Sequence, residues 1–224
     1  MPIQQHVLVC INLKLLNNCL SSAKSKMISN LSKKVVKKLI DSGNITSSER
    51  ELYEYGIFIL MSNILYIVIT AILGLVFGLF YQSLLFFIVF MVIRQYAGGY
   101  HASTELRCEI FTTLCILASI IIMRLISGNL SFLVVLGLTA FLSILIFVFA
   151  PIDTDEKTLD EVELKIFCKR TKLILIIIVA VIIVSFYFEI KVICIPCCMS
   201  LILEGVLLVA GKVKKIRIGK CGET

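Results

Sequence analysis

Apolar residues fall into six long runs along the chain, separated by short polar segments. A transmembrane helix needs about 20 mostly apolar residues to cross the hydrocarbon core of a bilayer. Five of the runs supply that length or come close to it, and one is shorter. The sequence therefore predicts an all-α, polytopic integral membrane protein with about six transmembrane helices, at residues 56–80, 83–100, 110–126, 130–149, 173–188 and 192–210.

The second run is apolar only from Ser83 to Ile93. At about 1.5 Å per residue, these residues cover only about half of a hydrocarbon core of roughly 30 Å. The helix can cross the membrane only if it includes the more polar stretch that follows. We therefore expect Arg94, Gly98 and Gly99 to lie at or within the membrane boundary.

Ahead of the first run, residues 31–40 show an amphipathic helical pattern. One face carries Leu31, Val35, Val36, Leu39 and Ile40, and the other carries Lys33, Lys34, Lys37 and Lys38. Such a helix lies in the membrane interface or packs on the protein's own cytoplasmic face, and the pattern leaves both open. Thr46–Glu49 and Ser48–Glu51 then each fit a capping box, which predicts the start of the next helix. Residues 1–26 lack this organisation, so no signal peptide is expected and Met27 is an alternative start.

Lysine and arginine positions predict the orientation of the spans. The chain has a formal net charge of +7, although only 17% of its residues are charged. The basic residues concentrate before the first span, between the fourth and fifth spans, and after the sixth. Because basic loops remain in the cytoplasm, we expect both termini there, and nucleic acid is not an expected partner. The chain divides into an interfacial region (1–52), a transmembrane domain (53–211) and a basic tail (212–224).

Nine cysteines are present, and Cys194, Cys197 and Cys198 form a cluster. This spacing suggests zinc or redox chemistry. No second cysteine pair and no nearby histidine completes a metal site, and the cluster lies within an apolar run. We interpret the three residues as small apolar side chains in the membrane, and we expect no metal and no other cofactor.

The densest polar stretch beside a span runs from residue 94 to residue 108, and it contains His101 and Cys108. A neighbouring imidazole can generate the reactive thiolate of a cysteine. In one continuous helix these two residues would lie about 10 Å apart along the axis, which is too far for a hydrogen bond of about 3 Å. The spacing therefore predicts a helix break between Gly98 and Ser103, with Ser103 as an N-cap and Glu105 in the first turn of the next helix.

Four neighbouring or intramembrane residues are candidates for supporting roles, and each has a simpler alternative. Arg94 would stabilise an oxyanion or bind the substrate backbone, or it extends to the membrane surface. Gly98 and Gly99 permit a close backbone approach, or they only end a helix. Glu105 orients the histidine or only favours the helix start. Glu204, inside the last span, pairs with Arg94 or remains protonated in place.

The residues of this stretch resemble the accessory gene regulator B (AgrB) family of membrane endopeptidases. The resemblance rests on Arg94, Gly98-Gly99, His101-Ala102-Ser103-Thr104 and Cys108 at matching spacing. It extends from about Met27 to the tail. Ser103 stands where many members have proline, but either residue can open a helix.

The resemblance implies that the substrate is an AgrD-like propeptide, the precursor of a cyclic quorum-sensing peptide. His101 is then the base and Cys108 the nucleophile that removes the carboxyl-terminal tail of the propeptide. An acyl-thioester remains on Cys108 until an internal cysteine or serine of the propeptide attacks it and closes a thiolactone or lactone ring. The resemblance also implies a homodimer in the lipid bilayer, with the active site on the cytoplasmic side.

The main alternative is a transporter or exporter of a small peptide that performs no covalent catalysis. It predicts ionisable residues at mid-membrane on several spans and an internal repeat. Only Glu204 and Arg94 fit the first expectation, and no repeat is visible. A structural membrane protein is a third hypothesis. A metal-dependent membrane protease is disfavoured because the chain has only two histidines.

Overall fold

Helices are the regular elements of the chain. The computed structural model describes residues 28–43, 45–100, 105–128, 132–151 and 161–221. Within these residues the α-helices are α1 (residues 28–41), α2 (Arg50–Val76), α3 (Phe80–Ala97), α4 (Glu105–Gly128), α5 (Phe132–Phe149), α6 (Glu161–Tyr187) and α7 (Lys191–Cys221). A short 3-10 helix, Ser47–Glu49, precedes α2. The predicted all-α fold class is confirmed.

The predicted spans correspond to α2–α7. Among the described residues, three helices are long and apolar enough to cross a membrane: Arg50–Val76, Phe80–Ala97 and Lys191–Lys214. The shorter apolar helices Ile110–Ile126 and Leu133–Phe149 match the third and fourth predicted spans, and α6 contains the fifth. Many large apolar side chains on α2 are exposed, among them Leu60, Ile64 and Leu75, as expected of a surface that faces lipid.

The boundary between the first two spans differs from the prediction. The first apolar run was expected to continue to Phe80, but α2 ends at Val76 because Gly78 adopts a positive φ of 68°. The N–H of Leu79 donates to the carbonyl oxygen of Gly74 at 2.7 Å and closes the turn. Phe80 therefore opens α3, which begins three residues earlier than expected and has 18 residues.

The described residues form two compact units. The described parts of Met1–Val68 and Ala102–Thr113 belong to the first unit, and those of Ile69–His101 and Leu114–Thr224 belong to the second. In the second unit, α7 packs against α3, α5 and α6. Its cysteines Cys194, Cys197 and Cys198 are buried, in agreement with their interpretation as small core side chains.

Two close contacts fix the position of α7 within the second unit. The hydroxyl of Ser200 donates to the carbonyl oxygen of Phe86 on α3 at 2.8 Å. At Gly205, an added Cβ would come within 2.8 Å of the Cβ of Leu142 on α5. These contacts hold α7 close to both neighbours, and the last turns of α7 can therefore serve as a rigid support for the end of α3.

The first unit contains α1, whose buried face differs from the predicted one. Ile28, Ser32 and Val36 are buried at four-residue spacing, whereas Leu31 is 43% exposed. The four lysines of the basic face are exposed, as predicted. Burial of this stripe by protein favours a helix that packs on the protein over one that lies free in the membrane interface.

The predicted capping box at Thr46 is confirmed. The carboxylate of Glu49 accepts hydrogen bonds from the backbone N–H of Thr46 at 3.1 Å and from its hydroxyl at 2.7 Å. The hydrogen bonds to the charged form lower the pKa of the Glu49 carboxyl below its ordinary value of 4.5. The pair opens the Ser47–Glu49 turn that continues into α2.

Candidate functional site

The chain leaves its helical path directly after the basic end of α3. Helix α3 ends at Ala97, and α4 begins at Glu105. Gly98 and Gly99 have φ values of 73° and 120°, a region that residues with a Cβ adopt only with strain. The predicted break between Arg94 and Cys108 is therefore confirmed, and glycine is required by the backbone at the point where the helix stops.

Arg94 binds the turn that its own helix leads into. Its Nη1 donates to the carbonyl oxygen of Gly98 at 2.5 Å, and its Nη2 donates to the carbonyl oxygen of Tyr100 at 2.5 Å. The backbone N–H of Gly98 also donates to the carbonyl oxygen of Arg94 at 3.3 Å. One planar guanidinium thus joins both ends of the three-residue segment 98–100, which we call the Gly98–Tyr100 turn.

The Gly98–Tyr100 turn packs on α7. The N–H of Tyr100 donates to the carbonyl oxygen of Leu207 at 2.9 Å. A Cβ added at Gly211 would lie 2.7 Å from the carbonyl carbon of Gly99 and 2.8 Å from the nitrogen of Tyr100. Such distances are too short for real Cβ contacts, so the turn lies in a space that exists because residue 211 is glycine.

Glu204 lies beside the Arg94 guanidinium. Its side chain is fully buried, and its Oε1 is 3.7 Å from Nη1 of Arg94, whose side chain is 20% exposed. Within the described part of the chain, neither carboxylate oxygen of Glu204 has a hydrogen-bond partner. Of the two alternatives that the sequence left open, the pairing of Glu204 with Arg94 is the one observed.

Three positions on α7 define the surface that faces the turn. Glu204, Leu207 and Gly211 are three and four residues apart, so they lie on one face of the helix. Sequence analysis identified Glu204 but not the other two. Leu207 contributes only its backbone carbonyl, which has no signature in a sequence. The spacing of Gly211 from Glu204, two helical turns, was the one available signal.

Basic residues surround the same end of the second unit. The guanidinium carbon of Arg170 lies 5.5 Å from the ring centre of Tyr96, and Nζ of Lys214 lies 5.6 Å from the ring centre of Tyr100. Lys212 places its Nζ 3.2 Å from the ring centre of Phe149. The Gly98–Tyr100 turn therefore lies at a strongly basic end of the helix bundle.

Cys108 belongs to the other compact unit and is the fourth residue of α4. Its side chain is half-buried, and its carbonyl oxygen accepts a hydrogen bond from the Thr112 hydroxyl at 2.8 Å. Glu105 opens α4 and so lies in its first turn, as predicted. His101, Ser103 and the side chain of Glu105 lie outside the described residues, so the N-cap role of Ser103 and the approach of His101 to Cys108 stay predictions.

The fold and the site together define a polytopic helical membrane protein with a buried Arg–Glu pair behind a glycine turn and a cysteine at the start of the next helix. The family model of accessory gene regulator B (AgrB) matches residues 32–208. The chain belongs to the AgrB family.

The curated relatives that match are AgrB-like proteins. One, from Clostridium perfringens strain 13, is 33% identical over 139 residues, which cover 58% of this chain and 64% of the relative. Another, from Listeria innocua, is 33% identical over 103 residues, which cover 46% of this chain and 49% of the relative. The chain thus spans less than two thirds of these relatives. No solved structure matches the chain.

Proposed function

We propose that this chain is a membrane cysteine endopeptidase that removes the carboxyl-terminal tail of an AgrD-like propeptide. Cys108 is the nucleophile and His101 the general base. The observation that carries the proposal is the break between α3 and α4, which removes the separation of about 10 Å that a continuous helix would impose on residues seven apart. Membership in the AgrB family supports the substrate class.

The chemistry proceeds in two acyl transfers. His101 takes the proton of the Cys108 thiol, and the thiolate attacks a backbone carbonyl carbon of the propeptide. The tetrahedral intermediate collapses, His101 returns the proton to the departing amine, and the tail leaves. An internal thiol or hydroxyl of the propeptide then attacks the thioester, which closes the ring and releases the Cys108 thiol. Exclusion of water at the membrane edge would favour ring closure over hydrolysis.

We place the site and both termini on the cytoplasmic side. Arg170, Lys212 and Lys214 lie at the end of the second unit that also holds the Gly98–Tyr100 turn. Basic residues concentrate on the cytoplasmic side of membrane proteins, so their clustering around the turn supports this orientation. The homodimer and the division at residues 52 and 211 stay predictions.

Cleavage by single variants tests the proposal. In cells that co-express the small AgrD-like propeptide, Cys108→Ala and His101→Ala should each abolish removal of the tail, measured by mass spectrometry of the peptide. Cys168→Ala is the matched control, because Cys168 is also a half-buried free cysteine, and it should process the propeptide normally. Tail removal by Cys108→Ala would overturn the covalent mechanism and favour the exporter hypothesis.

The acyl-thioester provides a second test. A propeptide in which the ring-closing cysteine or serine is replaced by alanine cannot complete the second transfer. We therefore expect a covalent adduct on Cys108 of the mass of the propeptide without its tail, released by neutral hydroxylamine. The His101→Ala variant should form no adduct, and an adduct on another cysteine would contradict the assignment of the nucleophile.

A further inference from the structure

Arg94 and Glu204 form a buried pair behind the three residues that immediately precede His101. We propose that these two residues are positioning residues, which hold the Gly98–Tyr100 turn on α7 and thereby fix the site of action of His101. This inference rests on the proposed function. It assigns to Arg94 a role different from direct contact with an oxyanion or substrate, and it gives Glu204 a purpose.

The donors of Arg94 are directed at the protein's own backbone. Nη1 and Nη2 bind the carbonyl oxygens of Gly98 and Tyr100, each at 2.5 Å. The rigid, planar guanidinium can bind two acceptors at once, which a lysine ammonium on a flexible stem does much less well. The geometry therefore calls for arginine specifically, and the positive charge alone is not sufficient.

Glu204 supplies the counter-charge that holds the guanidinium in place. Its carboxylate is fully buried at 3.7 Å from Nη1 of Arg94, and no described residue donates a hydrogen bond to it. Burial of an isolated charge is strongly unfavourable, whereas a buried pair offsets part of that cost. The carboxylate therefore acts through its charge rather than through a specific hydrogen bond.

The turn is fixed at the residue next to the proposed base. The N–H of Tyr100 is bound by Leu207 and its C=O is bound by Arg94, so both peptide groups that flank this residue are held. Only the rotations at one peptide unit then separate a fixed backbone from His101. A misplacement of about 1 Å in a reacting group can cost about 100-fold in rate, which is the scale of effect that loss of the pair should have.

The first test compares charge with shape at residue 204 in purified protein reconstituted into liposomes with the AgrD-like propeptide. Glu204→Gln keeps the shape but removes the charge, and Glu204→Asp keeps the charge but shortens the side chain. We expect kcat to fall about 100-fold in Glu204→Gln with KM changed less than about 3-fold. Glu204→Asp should retain more activity than Glu204→Gln. A purely structural role predicts the reverse order, which would overturn the proposal.

The second test concerns the two donors of Arg94. Arg94→Lys keeps a positive charge but replaces the planar fork, and Arg94→Gln removes the charge. If the guanidinium ties the turn, both variants should lose kcat to a similar extent, about 100-fold. If Arg94 instead stabilises an oxyanion by charge, Arg94→Lys should remain far more active than Arg94→Gln, which would contradict positioning.

A double variant keeps the test decisive if a single variant fails to fold. Arg94→Gln combined with Glu204→Gln buries no charge, so it should give a monodisperse protein in detergent. We expect its kcat to match that of Arg94→Gln alone, because the two residues act as one unit. The matched control is Ser200→Ala, a fully buried polar residue one turn earlier on α7, which should keep kcat within about 2-fold. Wild-type kcat in the double variant would overturn the proposal.

A readout without substrate separates this inference from the proposed function. Iodoacetamide labelling of Cys108, followed by mass spectrometry across pH, should slow in Glu204→Gln to the level of His101→Ala. If Cys108→Ala still removes the tail, the proposed function fails. If Cys108→Ala is inactive while Glu204→Gln cleaves and labels like Ser200→Ala, the proposed function stands and only the positioning role is overturned.

Discussion

The two ends of α3 are both formed by glycine turns, yet they are built in different ways. Before α3, Gly78 has a φ of 68°, and an added Cβ would meet no atom within 4 Å. After α3, Gly99 has a φ of 120°, and an added Cβ would collide with Arg94 and lie 3.3 Å from the carbonyl oxygen of Leu207. The first turn uses only the backbone freedom of glycine, whereas the second also uses its lack of volume.

The difference shows where the protein has invested in rigidity. A connection between spans needs only to reverse the chain direction, and the turn at Gly78 does this with its own hydrogen bonds. The Gly98–Tyr100 turn adds a buried ion pair, a hydrogen bond to α7 and a close approach to Gly211. These features exceed the needs of a connection, and they support a site whose geometry matters for the chemistry beside it.

Gly211→Ala should give the largest effect among variants that change no charge. The added methyl would lie within 2.8 Å of backbone atoms of Gly99 and Tyr100, so the turn itself must move. We expect kcat for tail removal to fall about 100-fold, with the melting profile in detergent retained. Gly137→Ala on α5, whose added Cβ meets no atom within 4 Å, is the matched control. Equal activity of the two variants would show that the turn tolerates displacement.

Gly99→Ala should have the second largest effect. Its φ of 120° is strained for alanine, but its closest neighbour is the end of the flexible Arg94 side chain, which can move. We expect a decrease in kcat of about 10-fold, smaller than the full displacement cost of about 100-fold. Steady-state kinetics in liposomes would measure it. A loss of activity greater than that of Gly211→Ala would indicate that backbone strain, rather than crowding against α7, controls the site.

The parts of the molecule that the sequence predicts are those in which the signal is local. Long apolar runs predict the spanning helices because lipid requires about 20 apolar residues in sequence. The glycine pair predicts the break after α3, and Thr46 with Glu49 predicts the start of α2, because each acts on its immediate neighbours. All three predictions agree with the structure.

The parts that could not be predicted depend on contacts between distant segments. The carbonyl oxygen of Leu207 has no side-chain signature, and Gly211 within an apolar run resembles any small residue in a transmembrane helix. Ser32 lies on the buried face of α1 although it is polar, so a pattern of apolar positions placed that face incorrectly. In each case the deciding partner lies far away in the chain.

Gly74→Ala tests whether close packing before α3 matters for the chemistry. A Cβ at Gly74 would lie 2.9 Å from the Cβ of Ser83 and 3.1 Å from the Cα of Phe80. Overpacking of this kind typically costs about 1–3 kcal/mol, so thermal stability in detergent should fall. We expect kcat to stay near the wild-type value. A loss of kcat comparable to that of Gly211→Ala would mean that both ends of α3 control the site.

Gly78→Ala should have the smallest effect and completes the comparison. The position is open, so the only cost is that of a left-handed backbone conformation for alanine, about 1–2 kcal/mol. We expect a small decrease in the melting temperature and unchanged kcat. Gly78→Asn, which tolerates this conformation better, should recover most of the stability. If Gly78→Ala lowered kcat while Gly78→Asn restored it, the φ at this turn would influence the site through α3, and the contrast between the two ends of the helix would no longer hold.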